Sequence, residues 1–113
     1  MAAQQADRHE LGRLGEAIVA SKLGGETTRH TAPFDVVDFG AGVAYEVKTM
    51  SGMSADLKIH ISDSSMARKR KFRREYKLKA VLIAVVVYSE TDIRVYRSAL
   101  KQSIRINQMR EVK

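Results

Sequence analysis

Pro33-Phe34-Asp35 and Tyr45-Glu46-Val47-Lys48-Thr49 place an acid at the head of one extended segment and an acid-x-Lys triplet on the next. Carboxylates are hard oxygen donors, and Mg2+ commonly takes one or two of them while keeping waters and accepting phosphate oxygens. Asp35 and Glu46 supply such a pair for Mg2+ or Mn2+, and the backbone carbonyl of Val47 can add a further oxygen. Lys48 brings an ammonium able to orient or help deprotonate a water and to offset charge developing on a phosphate. The chemistry open to this set is phosphodiester hydrolysis by metal-activated water.

The elements that position these groups read as a hairpin. Phe34–Phe39 and Val43–Thr49 have strand composition and are joined through Gly40-Ala41-Gly42. If Phe39 pairs with Gly42 across a two-residue loop, Asp35 stands opposite Glu46, and a four-residue loop keeps that register. Lys48 then shares their face, whereas a three-residue loop sends Asp35 to the other side. Two facing carboxylates repel, and a bound cation converts the repulsion into attraction. An even-numbered loop, or a compensating bulge, is therefore expected.

Around the hairpin the pattern alternates helix and strand. Ala6–Leu23 predicts an amphipathic helix with Leu11, Leu14, Ile18 and Val19 on its apolar stripe, Glu16 at the stripe's edge, and Gly24-Gly25 as its stop. Glu26–Thr31 is a polar connector with room for a short strand, Met50–Ala55 reads as loop, and Leu57–Ile61 alternates as an extended segment does. Asp63, Ser64 or Ser65 is positioned to cap a helix over Met66–Leu78. Val81–Tyr88 has the continuous apolar composition of a strand buried on both faces and belongs in the middle of the sheet. Ile93–Arg97 predicts an alternating strand, Ser98 a cap for a last short helix through Leu100 and Ile104, and the tail to Lys113 a frayed end. The economical solution is an α/β domain, a mixed sheet with helices packed on it, spanning residues 1–113.

Composition narrows the function. A chain of 113 residues suits one domain, and with no cysteine it has no disulfide, thiolate zinc site or thiol nucleophile. Met1–Glu10 lacks the apolar core of a signal peptide, and the longest apolar run, Ala80–Tyr88, is too short to cross a bilayer. A soluble, cytoplasmic protein is expected. The formal charge of +7 favours a polyanion partner, and eight of the twelve residues from Arg68 to Lys79 are Lys or Arg. Like charges this dense repel along a helix, so Arg68, Lys69, Arg70, Lys71, Arg73, Arg74 and Lys77 are expected to hold a nucleic-acid backbone, against the plainer reading of a solvated basic helix. Such contacts position a protein without reading sequence, and they suit RNA as well as DNA. Phe72 and Tyr76 are spaced to face the core together, and Arg94 and Arg97 can extend the basic surface. His9, His30 and His60 lack metal-ligand spacing and read as surface or packing residues. Phe34 and Tyr45 alternate away from the acids and are expected to pack beneath them.

With Asp35 as first acid and Glu46-Val47-Lys48 as the E-x-K triplet, the chain resembles the PD-(D/E)xK nuclease superfamily. The resemblance implies a restriction-endonuclease-like αβββαβ core over Leu11–Tyr96. It also assigns Glu16, within Leu14-Gly15-Glu16-Ala17-Ile18-Val19-Ala20, to the metal site as the first-helix glutamate many members carry. Phe34 separates Pro33 from Asp35, so the literal Pro-Asp dipeptide is absent. Size and layout look most like archaeal-type Holliday junction resolvases and small phage or mobile-element endonucleases. Resolvase-like enzymes tend to carry a hydroxyl residue before the Asp, and Thr27, Thr28 and Thr31 are available. A domain with one such site needs a homodimer to cut both strands of a duplex or junction. The alternative from another class is a nuclease fold that has lost activity and only binds nucleic acid.

Overall fold

Ala80 to Val86 is an unbroken apolar run, and a strand of that composition is stable only when both of its faces are covered. The computed structural model, which describes residues 2–29, 31–53 and 57–113, shows how that cover is built. The chain runs α1 (Ala2–Leu23), β1 (Glu26–Thr27), β2 (Val36–Asp38), β3 (Val43–Ser51), β4 (Lys58–His60), α2 (Asp63–Tyr76), β5 (Lys79–Ser89), β6 (Asp92–Ala99), β7 (Ser103–Arg105), a 3-10 turn (Ile106–Gln108) and β8 (Arg110–Val112). The main sheet has the order β1-β2-β3-β5-β6-β8, and β4 pairs with β7 in a separate ribbon. β5 runs parallel to β3 and every other pairing is antiparallel. The fold is thus the expected restriction-endonuclease-like one, a mixed sheet flanked by helices.

Alternation along the strands sorts the core into two layers. Val81, Ile83 and Val85 of β5 join Val36, Tyr45 and Val47 against Val19, Ile18 and Leu23 of α1. Leu82, Ala84 and Val86 point the other way, onto Met66 of α2 and onto Ile59, Ile61, Ile104 and Ile106 around the ribbon. Each such side chain contributes about 1.5–3 kcal/mol on burial, so β5 is the element the others assemble on. Glu46 and Lys48 fall on the α2 side, since β3 pairs them with Leu82 and Ala84.

Several boundaries differ from expectation for identifiable reasons. α1 begins at Ala2, and Leu14 is 43% exposed, off the buried stripe that Val19 centres. Ser62 caps α2, its hydroxyl accepting the Ser65 N–H at 3.2 Å. Among the described residues no α-helix starts at Ser98. Residues 98 and 99 extend β6, Ile104 and Ile106 alternate into the core, and β8 pairs with β6 where a frayed end was expected. Phe34 is buried but on the α2 side with Phe72, and Tyr76 is 53% exposed.

α1 reaches the sheet through Gly15, where an added Cβ would collide with the Thr49 hydroxyl. Thr49 is held by the β3 backbone and its Oγ1 is buried without a partner, so neither neighbour yields easily. Gly15→Ala is expected to destabilise the protein by about 1–3 kcal/mol in a urea titration, and adding Thr49→Ala to recover much of the loss.

Candidate active site

The hairpin brings the acids together. Val36 pairs with Tyr45 and Asp38 with Val43, leaving residues 39–42 as an even-numbered loop. One step before the ladder, the Asp35 N–H donates to the Tyr45 carbonyl at 3.0 Å. The Asp35 side chain then reaches across β3, and its Oδ2 accepts the Val47 N–H at 2.8 Å. A strand residue sends its N–H and C=O to the same edge, so the Val47 carbonyl also faces the Asp35 side.

Glu46 is 6% exposed and ion-paired at both oxygens, Oε2 to Lys48 Nζ at 3.2 Å and Oε1 to Lys69 Nζ at 3.1 Å. The two ammonium groups are unlike in setting. The Lys48 side chain is 42% exposed, while that of Lys69 is 5% exposed. Lys69 Nζ also donates to the Pro33 carbonyl at 2.7 Å and to Ser65 Oγ at 3.0 Å, and lies 5.5 Å from the centre of the Phe34 ring. This departs from the expected phosphate-contacting role of Lys69, because its donors are already committed inside the protein. The signal was present in the sequence: Met66, Lys69, Phe72 and Tyr76 follow one helical stripe, so Lys69 occupies a position an apolar residue would take.

The segment leading into Asp35 is fixed through its carbonyls. Arg68 Nη2 donates to the Thr31 carbonyl at 2.6 Å, beside the Lys69 bond to Pro33. The Thr28 hydroxyl donates to the Phe34 carbonyl, and the Thr28 N–H to the Asp35 carbonyl at 2.9 Å. Of the three threonines available, Thr28 is the one that braces the acid. Turn-like backbone replaces the expected strand at residues 34 and 35, and these side-chain bonds hold it.

Burial pushes the Asp35 carboxyl above its ordinary pKa, and the Glu16 charge adds to that, while the Val47 N–H, Glu46 and Lys48 oppose it. Burial also raises Glu46, with Asp35 adding to it and Lys69 and Lys48 opposing. Two carboxyls that resist ionisation side by side gain most from a divalent cation, and their oxygens with the Val47 carbonyl fit the hard-donor set of Mg2+ or Mn2+. Glu16, half-buried on α1, reaches this site through its field. Among the described residues no three Asp, Glu, His or Cys side chains converge on one point.

On the outer side of α2, Arg70, Lys71, Arg74 and Lys77 are exposed, and Arg73 Nε donates to the Leu78 carbonyl at 3.3 Å. Arg94, exposed on β6, is paired with Asp92 and lies over the Tyr88 ring. Arg97 instead lines a groove of about 520 Å³ with Lys79 and Arg110. His60 is exposed on β4, and His30 lies outside the described residues. Among the described residues no helix is long and apolar enough to cross a membrane.

No protein-family model and no curated protein sequence matches the chain. Among solved structures it is similar to Hjc of Archaeoglobus fulgidus, a Holliday junction resolvase from an archaeal hyperthermophile, with a TM-score of 0.58 over 88% of this chain and 95% of that one. Sequence identity is 12%, so the likeness is one of fold. What the chain shares with that resolvase is the fold, a mixed sheet flanked by helices.

Lys69→Met should cost about 3 kcal/mol in chemical denaturation, because it removes the buried partner of Glu46, and Lys69→Met with Glu46→Gln should cost less than the single change. Raised carboxyl pKa values mean that the folded state retains protons the unfolded chain has released, so this contribution to stability falls as pH rises through the carboxyls' folded titration range. In EDTA, Asp35→Asn is expected to raise the melting temperature at neutral pH and to flatten its decline between the ordinary carboxylate range and the raised folded one; an unchanged profile would contradict the assigned burial cost and repulsion.

Proposed function

We propose that this chain is a one-domain, divalent-metal-dependent DNA endonuclease. The observation that supports it most is a facing carboxyl pair, the buried Glu46 and the half-buried Asp35, with a half-exposed ammonium beside it. Asp35, Glu46 and the Val47 carbonyl would hold Mg2+ or Mn2+, with Glu16 supporting the site from α1. When bound, the metal supplies a water of lowered pKa and a positive charge on phosphate oxygens. Lys48, open to solvent on one side, orients the attacking water and offsets charge on the phosphate. Lys69 fixes Glu46 from behind and stays out of the substrate's path. Arg70, Lys71, Arg74 and Lys77 hold the DNA backbone from the outer side of α2, with Arg68 and Arg73 adding positive field.

The likeness to a Holliday junction resolvase favours branched DNA as substrate. A single site cuts one strand, so cleavage of a duplex or junction calls for a homodimer. The setting we assign is the cytoplasm, in contact with DNA.

The test is incubation of wild type, Glu46→Ala and Lys48→Ala with supercoiled plasmid, linear duplex, single strand, four-way junction and RNA, each with Mg2+, Mn2+ or EDTA. Metal-dependent cutting of DNA is expected in wild type, with a loss of roughly 100-fold or more in either variant while Lys48→Ala still binds. Tight binding with no cutting under any metal would make the chain a binding module, and cutting confined to RNA would replace the substrate.

A further inference from the structure

Four aromatic rings form a ladder from the core to the surface. Phe34, 1% exposed, lies 5.8 Å from Phe72, which meets Tyr76 at a tilt with centres 4.6 Å apart, and Tyr76 meets Phe39 edge-on at 5.6 Å. The two outer rings remain open, Phe39 at 63% and Tyr76 at 53% exposure. They come from separate elements, the turn after β2 and the last residue of α2. The turn is fixed because the Lys79 N–H donates to the Gly42 carbonyl at 2.8 Å, tying it to the start of β5. The outer pair is therefore anchored through Phe72 and Phe34 and cannot fold away on its own.

Its surroundings carry both signs. Glu75 precedes Tyr76, and Glu26 and Asp38 share a pocket with Phe39, while Arg74 and Lys77 are exposed near the end of the same helix and Lys79 continues with Arg97 and Arg110 into the groove on the sheet's other face. Two rulers place the pair relative to the acids. Tyr76 is seven residues beyond Lys69 on α2, about 10 Å at helical rise. Phe39 is four residues beyond Asp35, about 13 Å at strand rise.

We propose that Phe39 and Tyr76 form a stacking platform for an unpaired base of single-stranded DNA. At about 3.4 Å per stacked nucleotide, it lies roughly three nucleotides from the phosphate held at the acid pair. Every base presents a π face once it is unpaired, and a duplex conceals those faces. The platform thus selects strands with an open base near the cut, such as a branch point or a frayed end. A second copy of the chain is the poorer occupant, because seating two such faces together would appose the exposed cations of both α2 helices. The proposal rests on the nucleic-acid reading above and deepens it.

The experiment measures binding without cleavage, in EDTA, of a single strand carrying 2-aminopurine and of a blunt duplex of the same sequence. Wild type is compared with Phe39→Ala/Tyr76→Ala and with Phe39→Leu/Tyr76→Leu, which keeps apolar area but removes the rings. Wild type should quench 2-aminopurine, and both variants should lose the quenching, with the ratio of single-strand to duplex affinity falling about tenfold. An unchanged ratio, Leu variants that bind as wild type does, or a wild-type dimer that the variants dissociate in sedimentation would each overturn the platform. Wild type that binds no DNA would remove the nuclease reading as well, whereas tight binding indifferent to both rings would remove the platform alone.

Discussion

The ammonium of Lys69 is the contact on which the site's geometry depends. It bridges an acid on β3, the carbonyl of Pro33 just ahead of Asp35, and Ser65 on its own helix. Removing it would unlock three elements at once. A buried lysine carries a desolvation cost, offset here because each of its three donors has an oxygen and its charge faces a buried carboxylate. Glu46 in turn is pushed above its ordinary range by burial and by Asp35, a push that its two ammonium partners oppose. The result is a charge cluster preorganised by the protein before any ligand arrives, which is the condition under which electrostatics accelerates a reaction most.

The same cluster explains why the chain departs from regular strand at residues 34 and 35. A continuous strand would send Phe34 to the α1 face, yet Phe34 is needed on the α2 face beneath Lys69 and against Phe72. The backbone turns instead, and its freed carbonyls at Thr31, Pro33 and Phe34 are taken by Arg68, Lys69 and Thr28. Irregular backbone persists where surrounding groups over-determine it. Here those groups come from α2 and from the segment after α1, so the acid's position reports on both.

The sheet was legible in the sequence wherever one physical signal dominated. The apolar run of β5 marks the centre of the sheet, and the Gly-rich loop with the spacing of Asp35 and Glu46 yields the register of the β2–β3 hairpin. The stretch from Ser98 onward was misread because Ser98 has the chemistry of a helix cap, while the two-residue alternation of Ile104 and Ile106 marks extended chain that only the ribbon partner β4 makes visible. Lys69 was misread because eight cations among twelve residues mask the stripe on which it sits. Charge density describes a helix's surface on average and says nothing of the one position that faces inward.

That one position divides α2 into two electrostatic regimes. Lys69 acts at close range in a low-dielectric site, where salt screens it little. Arg70 and Lys71, its immediate neighbours in sequence, stand in solvent, where interactions weaken beyond about 10 Å at moderate salt. Ionic strength therefore acts on the outer face without disturbing the inner one. A polyanion can be gathered and released by the exposed cations while the geometry around Asp35 and Glu46 stays fixed. One helix can serve both because its periodicity turns adjacent residues about 100° apart, enough to place the Lys69 ammonium over Phe34 and the Arg70 guanidinium in water.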